Sequence, residues 1–77
     1  MKVKVEIVGA LLKTRGQRQL ECELSEGSTL RELLIELCYE PLHQRHILGA
    51  VQGEVVRHDT PLREGATVVL STLVGGG

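Results

Sequence analysis

One segment of the chain has the pattern of an amphipathic helix, and this segment limits the fold more than any other feature. Thr29 and Glu32 are at the spacing of a capping box, in which each side chain bonds a free backbone N–H at a helix start. Apolar residues follow on one helical stripe: Leu30, Leu33, Leu34, Leu37 and Cys38. Because Pro41 disfavours helical backbone at Glu40, the sequence predicts that the helix stops there.

Before this helix, the chain has the two-residue period of β-strands. Residues 1–8 alternate, with Val3, Val5 and Ile7 on one face. After turn residues at 13–16, residues 17–24 alternate again, with Leu20 and Cys22 on the apolar side. Two adjacent strands with a short connection predict a β-hairpin.

After the helix, the pattern again favours strands. Residues 42–46 have no clear period and fit either a loop or a short helical turn. Residues 47–52 predict a strand, residues 52–54 a tight turn, residues 55–56 a short strand and residues 66–73 a last strand, after a turn at 60–65. One helix on one face of a mixed sheet is a two-layer α+β domain. With the first and last strands paired at its centre, we predict a β-grasp fold of four to five strands and one main helix.

Composition narrows the possible functions. The 77 residues allow one small domain, which we place at residues 1–73 with a flexible glycine tail at 74–77. A net charge of −1 argues against a nucleic-acid or membrane surface, and a single aromatic residue, Tyr39, leaves no rings for base stacking. With no secretory leader or long apolar run in the sequence, we expect a cytoplasmic protein.

Two residue types could carry chemistry in place of a structural role. Cys22 and Cys38 both fall on predicted apolar faces, so we expect core packing, with persulfide transfer or a disulfide as alternatives. His43 and His46 are three apart and could form a metal site with His58. Since no further ligand with recognisable spacing accompanies them, solvated loop histidines are favoured and no metal is predicted.

The charged residues of the first hairpin also have two interpretations. Lys13, Arg15 and Arg18 could meet an acidic partner or phosphate, or could form a charged end that resists aggregation. Glu21 and Glu23 lie on the outer strand face, where we expect them to solubilise the sheet. No nucleophile triad, phosphate loop or carboxylate pair can be assembled, so we predict that the chain is not itself an enzyme.

The order of these elements and four sequence segments together resemble a known family. The segments are "LSEGSTLRELLIEL" at the helix, "VQGEVV" in the middle, "DTPLREGATVVL" before the last strand, and the closing "GGG". They resemble the ubiquitin-like sulfur carriers of the MoaD/ThiS family. Two departures are Gln52, where the family pattern often has Asn, and three closing glycines where many members have two. The long first hairpin is more similar to the molybdopterin synthase small subunit than to the thiamine sulfur carrier.

This resemblance implies a function for the end of the chain. The α-carboxylate of Gly77 would be adenylated with ATP by an E1-like adenylyltransferase, and a persulfide sulfur would convert it to a thiocarboxylate. Gly75 and Gly76 would thread narrow partner active sites because they lack a Cβ. Leu73 and Val74, together with the exposed sheet face, would contact the partner. The chain itself would bind no cofactor.

The same resemblance implies a second partner and leaves alternatives open. The acceptor would be a sulfur-accepting synthase, either a molybdopterin synthase large subunit or a thiazole synthase-like enzyme. Molybdopterin-type cofactor synthesis is favoured, with thiamine or other sulfur transfer as the alternative. A protein modifier conjugated through Gly77 and a regulatory module with an inert tail are the remaining hypotheses.

Overall fold

The computed structural model describes residues 1–8 and 18–72, which form one sheet with helices between its strands. In chain order the elements are β1 (Lys2–Ile7), β2 (Gln19–Glu23), α1 (Leu30–Glu36), α2 (Pro41–Gln44), β3 (Ile47–Val51), β4 (Glu54–Val56) and β5 (Thr67–Thr72). The sheet order is β2-β1-β5-β3-β4, parallel between β1 and β5 and antiparallel elsewhere. The first and last strands meet in the centre, which confirms the predicted β-grasp arrangement. The short helical turn left open at residues 42–46 is α2.

The core lies between α1 and one face of the sheet. Alternate strand residues and the leucines of α1 belong to a single cluster of buried side chains, among them Val3, Val5, Ile7, Leu30, Leu33, Leu34, Val68 and Leu70. Gly49 of β3 lies directly against Leu30, because a Cβ built on Gly49 would be 2.5 Å from the Leu30 Cδ2. The missing side chain therefore lets the helix pack closely on the sheet.

Local bonds fix the start of α1 as predicted. The Glu32 N–H donates to the Thr29 hydroxyl at 3.3 Å, and the Thr29 N–H donates to the Glu32 carboxylate at 3.0 Å. The next N–H groups find acceptors in the loop before β5, since Leu30 donates to the Thr60 carbonyl at 3.0 Å. The capping box is confirmed, and the loop completes the bonding that a helix start requires.

The end of α1 differs from the prediction. The helix ends at Glu36 and not at Glu40. Cys38 has a φ of 68°, and its N–H donates to the Ile35 carbonyl at 2.9 Å, while the Tyr39 N–H donates to the Leu34 carbonyl at 3.1 Å. These two bonds around a left-handed residue form a Schellman motif, which terminates a helix.

The Schellman motif also corrects the predicted position of Cys38. Leu34 and Tyr39 are both buried, so the motif has its usual apolar contact partners in the core. The reversal of the chain leaves the Cys38 side chain exposed, whereas Cys22 is buried as predicted. The expectation that both cysteines pack in the core was therefore wrong for Cys38.

A tight turn joins β3 to β4. Gln52 and Gly53 have φ values of 55° and 82°. Two successive positive φ values are typical of a type I′ turn, whose twist matches that of the flanking strands. The predicted turn at residues 52–54 is confirmed.

Candidate partner-binding site beside the chain end

The residues that the sequence analysis assigned to function lie outside the described part of the chain. These are Leu73, Val74, Gly75, Gly76 and Gly77. The structure does describe the strand that leads to them, because β5 runs to Thr72. The site can therefore be built from the place where these five residues are attached.

The point of attachment is at the centre of the sheet. Thr72 is in register with Ile47 of β3, and Leu70 is in register with Ile7 of β1. Beyond the end of β1, the Val8 N–H still donates to the Leu70 carbonyl at 2.9 Å. Since β5 is bonded on both sides, residue 73 follows a strand that is fixed relative to the whole domain.

Beside this attachment point, the outer face of the sheet is apolar. Ala50 of β3 is in register with Val55 of β4 and with Val69 of β5, and Leu48 lies two residues from Ala50 on the same face. The residues between them along the strands face the core. Val55 is 66% exposed, and the other three are half-buried. We call Leu48, Ala50, Val55 and Val69 the apolar half of the outer face.

The other half of the outer face carries charges that offset one another. In the β1–β2 register Lys2 faces Glu23 and Lys4 faces Glu21. Gln19 faces Glu6, and its side-chain amide donates to the Glu6 carboxylate at 3.4 Å. We call these six residues the charged half.

The apolar half is the part of the site that the sequence analysis did not identify. Strands with one solvated face alternate apolar and polar residues, but "ILGAV" of β3 and "TVVLST" of β5 carry apolar residues on both faces. This lack of alternation is the sequence feature from which the apolar half could have been predicted. It indicates a second apolar surface besides the core, and such exposed patches commonly bind partner proteins.

The histidines do not form a metal site in the part of the chain that is described. Residues 1–8 and 18–72 contain no group of three or more His, Cys, Asp or Glu side chains that could hold a metal ion. His46 is exposed, as expected. His58 is half-buried instead, and its Nε2–H donates to the Ile47 carbonyl at 2.8 Å, so the prediction of a solvated histidine was wrong there. The side chain of His43 is outside the described residues.

Two further expectations concern the hairpin end and the membrane. Arg18 is exposed next to β2, while Lys13 and Arg15 lie outside the described residues. Glu21 and Glu23 are exposed on the outer face, as predicted. In the described segments, neither helix has the length and apolar character needed to span a bilayer.

Solved structures similar to this chain share its fold. SAMP1 from Haloferax volcanii is 19% identical with a TM-score of 0.76, and each chain is covered in full. A candidate molybdopterin converting factor subunit 1 from Pyrococcus furiosus is 26% identical with a TM-score of 0.74, over 95% of this chain and 98% of that one. Subunit 1 or 2 in the complex of the two molybdopterin-converting factor subunits from Helicobacter pylori is 21% identical, with a TM-score of 0.66 and full coverage of both chains.

A comparison of the sequence with curated proteins found no match. The model of the ThiS family matches residues 5–77, which is nearly the whole chain and includes the glycines. This match confirms the resemblance drawn from the sequence segments. Together, the β-grasp fold and the family match show that the chain belongs to the ThiS family of ubiquitin-like proteins.

Proposed function

We propose that this protein is a sulfur carrier whose Gly77 carboxylate is adenylated by a partner enzyme and converted to a thiocarboxylate. The thiocarboxylate then donates its sulfur in the synthesis of a molybdopterin-type cofactor. The observation that carries this proposal is the family match, because it extends through the glycines to residue 77.

The chemistry explains why a partner enzyme is needed. A carboxylate is a poor electrophile, so ATP first converts it to an acyl-adenylate with loss of pyrophosphate. A persulfide sulfur displaces AMP and forms an acyl disulfide. A second thiol then cleaves the S–S bond, which leaves the thiocarboxylate and a disulfide on the donor side. Sulfur is carried at the chain end and not on Cys22 or Cys38.

The residues of this chain would position the reacting group. Five residues follow Thr72, and fully extended they reach at most about 18 Å from the end of β5. This length is sufficient for Gly77 to enter a buried active site while the domain stays outside. Gly75 and Gly76 can pass through a channel that would exclude a side chain and can adopt any φ that it requires.

The apolar half would bind the partner during this insertion. It lies beside β5, so a partner surface that covers Ala50 and Val69 is near the point from which the tail extends. Leu73 and Val74 would extend the same contact. Burial of these aliphatic side chains would supply most of the affinity, since apolar burial stabilises by roughly 25 cal/mol per Å².

We propose two partners, an E1-like adenylyltransferase and a sulfur-accepting synthase. Support for the synthase comes from the similar proteins, because the Helicobacter pylori structure is a complex of molybdopterin-converting factor subunits 1 and 2. The similarity to the Pyrococcus furiosus protein favours the molybdopterin pathway over thiamine synthesis. The chain would serve as a co-substrate in the cytoplasm.

An intact-mass spectrum tests the proposal. The purified full chain is incubated with ATP, a sulfur source and extract from its host. We expect a mass gain that matches replacement of one oxygen by sulfur, and the gain should require ATP. An unchanged mass, under conditions that convert an established sulfur carrier, would contradict the proposal.

The three glycines require a careful choice of control variants. Deletion of any one of them leaves the same sequence, which still ends in two glycines. We therefore expect a one-glycine deletion to retain conversion and removal of residues 75–77 to abolish it. A variant with one alanine added after Gly77 should also fail, because the carboxylate then belongs to a residue with a Cβ.

The alternative function is that of a protein modifier joined to lysine through Gly77. The similar Haloferax volcanii structure is described as small archaeal modifier protein 1, and its TM-score of 0.75 gives this alternative a structural basis. High-mass conjugates in host extract that disappear when residues 75–77 are removed would favour the modifier. A mass gain of sulfur without conjugates would favour the carrier.

A further inference from the structure

Strand β2 forms an edge of the sheet whose outward backbone groups have no partner among the described residues. The Ile7 N–H donates to the Arg18 carbonyl at 2.7 Å, and the Leu24 N–H donates to the Met1 carbonyl at 2.8 Å. In this register, the even-numbered residues of β2 direct their backbone groups toward β1. The N–H and C=O groups of Gln19, Glu21 and Glu23 therefore point away from the sheet.

A groove continues from the end of this edge onto α1. It has a volume of about 330 Å³ and lies between Glu23 and Leu24 on one side and Glu32, Ile35 and Glu36 on the other. Ile35 is 58% exposed and is one of the most exposed large apolar side chains in the described residues. An edge strand and an exposed isoleucine thus occur side by side.

The charges around the groove are negative. Glu23 contacts the Met1 ammonium at 3.3 Å, but no described basic side chain forms an ion pair with Glu32 or Glu36. Arg31 lies one turn before Ile35 and does not line the groove. A segment that enters here would meet two carboxylates that have no cationic partner within residues 1–8 and 18–72, and it would favour lysine or arginine.

We propose that the β2 edge and this groove bind an extended segment of a partner protein in which aliphatic and basic residues alternate at every second position, because only every second side chain of a strand points toward α1. Its backbone pairs with the outward groups of Glu21 and Glu23. An aliphatic side chain covers Ile35, and basic side chains meet Glu32 and Glu36. Addition of a strand to a sheet edge is an established mode of peptide recognition, in which backbone bonds give affinity and side chains give selectivity.

This surface is separate from the one used in the proposed sulfur transfer. The sheet order places β2 at the edge opposite to β4, whereas the apolar half lies on β3, β4 and β5. A segment bound at β2 would leave that half free. The inference therefore goes beyond the carrier function and does not depend on it: the domain could hold a second protein while its tail is engaged.

An NMR titration of the isotope-labelled full chain tests the proposal. The probe is a blocked synthetic peptide of repeating Lys-Ser-Val-Ser, which places lysine and valine on the same face, and in the control peptide serine replaces each valine. We expect saturable shifts at the amides of β2 and α1 with the valine peptide at low salt. Amide hydrogen exchange of Glu21 and Glu23 should also slow, because their N–H groups gain acceptors, while Leu20 and Cys22 should change little.

Matched variants distinguish binding of the peptide at the β2 edge and the groove from general attraction between opposite charges. Ile35→Ser should weaken binding about threefold to tenfold, whereas Leu42→Ser, at another exposed apolar residue, should leave it within about twofold. Glu32→Gln with Glu36→Gln should weaken it about threefold to tenfold at low salt, and Gln at position 32 still serves the capping box.

Three results would overturn the proposal. The first is no saturable shift up to about 5 mM valine peptide. The second is equal binding of the serine peptide, which would reduce the interaction to charge alone. The third is a loss of affinity that is the same for Ile35→Ser and Leu42→Ser. The spectrum of each free variant shows whether it remains folded.

Discussion

The two halves of the outer sheet face differ in the side chains that they expose, which are charged on one half and aliphatic on the other. On the charged half, Lys2 faces Glu23 and Lys4 faces Glu21, so residues of opposite charge stand opposite each other on the two strands. On the apolar half, Ala50 lies between Val55 and Val69, which together offer a partner an aliphatic surface. The apolar half includes Val69 of β5, the strand that leads to the glycines, whereas the charged half lies on β1 and β2. We infer that docking uses the half whose aliphatic side chains remain exposed to solvent.

The largest expected effect comes from placing a charge on each half in turn. Ala50→Lys should weaken the complex with the synthase subunit about 100-fold, because an unpaired ammonium would be desolvated at the centre of the interface. Gln19→Lys adds the same charge to the charged half, where it faces Glu6, and should change affinity less than about threefold. Calorimetric titration measures both. Equal losses would show that the halves do not differ in function.

The next prediction separates the stability of the strand that carries the apolar half from the affinity of that half for its partner. Gly49 precedes Ala50 but faces the core, where Leu30 leaves no room for a Cβ. Gly49→Ala should lower the free energy of unfolding by about 1–3 kcal/mol through overpacking. Urea unfolding measures this loss, and partner affinity of the folded protein should stay unchanged.

A double variant checks the cause of that loss. Leu30→Val removes the two δ carbons that a Cβ at Gly49 would contact. If overpacking is responsible, Gly49→Ala should cost much less in the Leu30→Val background than in the natural chain. Simple addition of the two losses would instead point to a backbone effect.

A smaller effect is expected at a position that belongs to neither half. Cys38 adopts a left-handed backbone conformation that glycine tolerates best. Cys38→Gly should therefore raise the free energy of unfolding by about 1 kcal/mol without a change in partner affinity. Cys38→Ala keeps the strain and should gain little, so an equal gain from both variants would contradict this explanation.

The smallest effect tests the pairing on the charged half. Lys4→Glu places two carboxylates opposite each other and should lower the free energy of unfolding by about 0.2–1 kcal/mol, less at high salt. The charge-reversed pair, Lys4→Glu with Glu21→Lys, should restore most of the loss. If the double variant is no more stable than Lys4→Glu alone, the two side chains do not interact.

The sequence predicts those parts of the fold that depend on local interactions. The start of α1 requires only Thr29 and Glu32, which bond within one helical turn. The end of α1 depends on Cys38 in a left-handed conformation and on burial of Tyr39 in the core. No local pattern specifies that arrangement, and the proline that follows gave a later boundary.

For the candidate site as well, some residues could be proposed from the sequence and others required the strand register. Gly75, Gly76 and Gly77 could be proposed from the sequence because a run of glycines has few structural uses at the end of a sheet strand, and their role stays a prediction. Ala50 and Val69 could not be assigned to the outer face in the same way. Their strands are apolar on both faces, so only the register of β3 against β5 decides which residues point away from α1.

The most direct test follows the sulfur from the carrier to its acceptor. The chain with a Gly77 thiocarboxylate, prepared by sulfide cleavage of an intein thioester, is mixed with the host's molybdopterin synthase large subunit and the sulfur-accepting substrate. The account predicts that the intact mass returns to that of the carboxylate for the natural chain and for Gln19→Lys, and that Ala50→Lys remains loaded with sulfur. A natural chain that stays loaded, or an equal rate of sulfur loss from both variants, would contradict it.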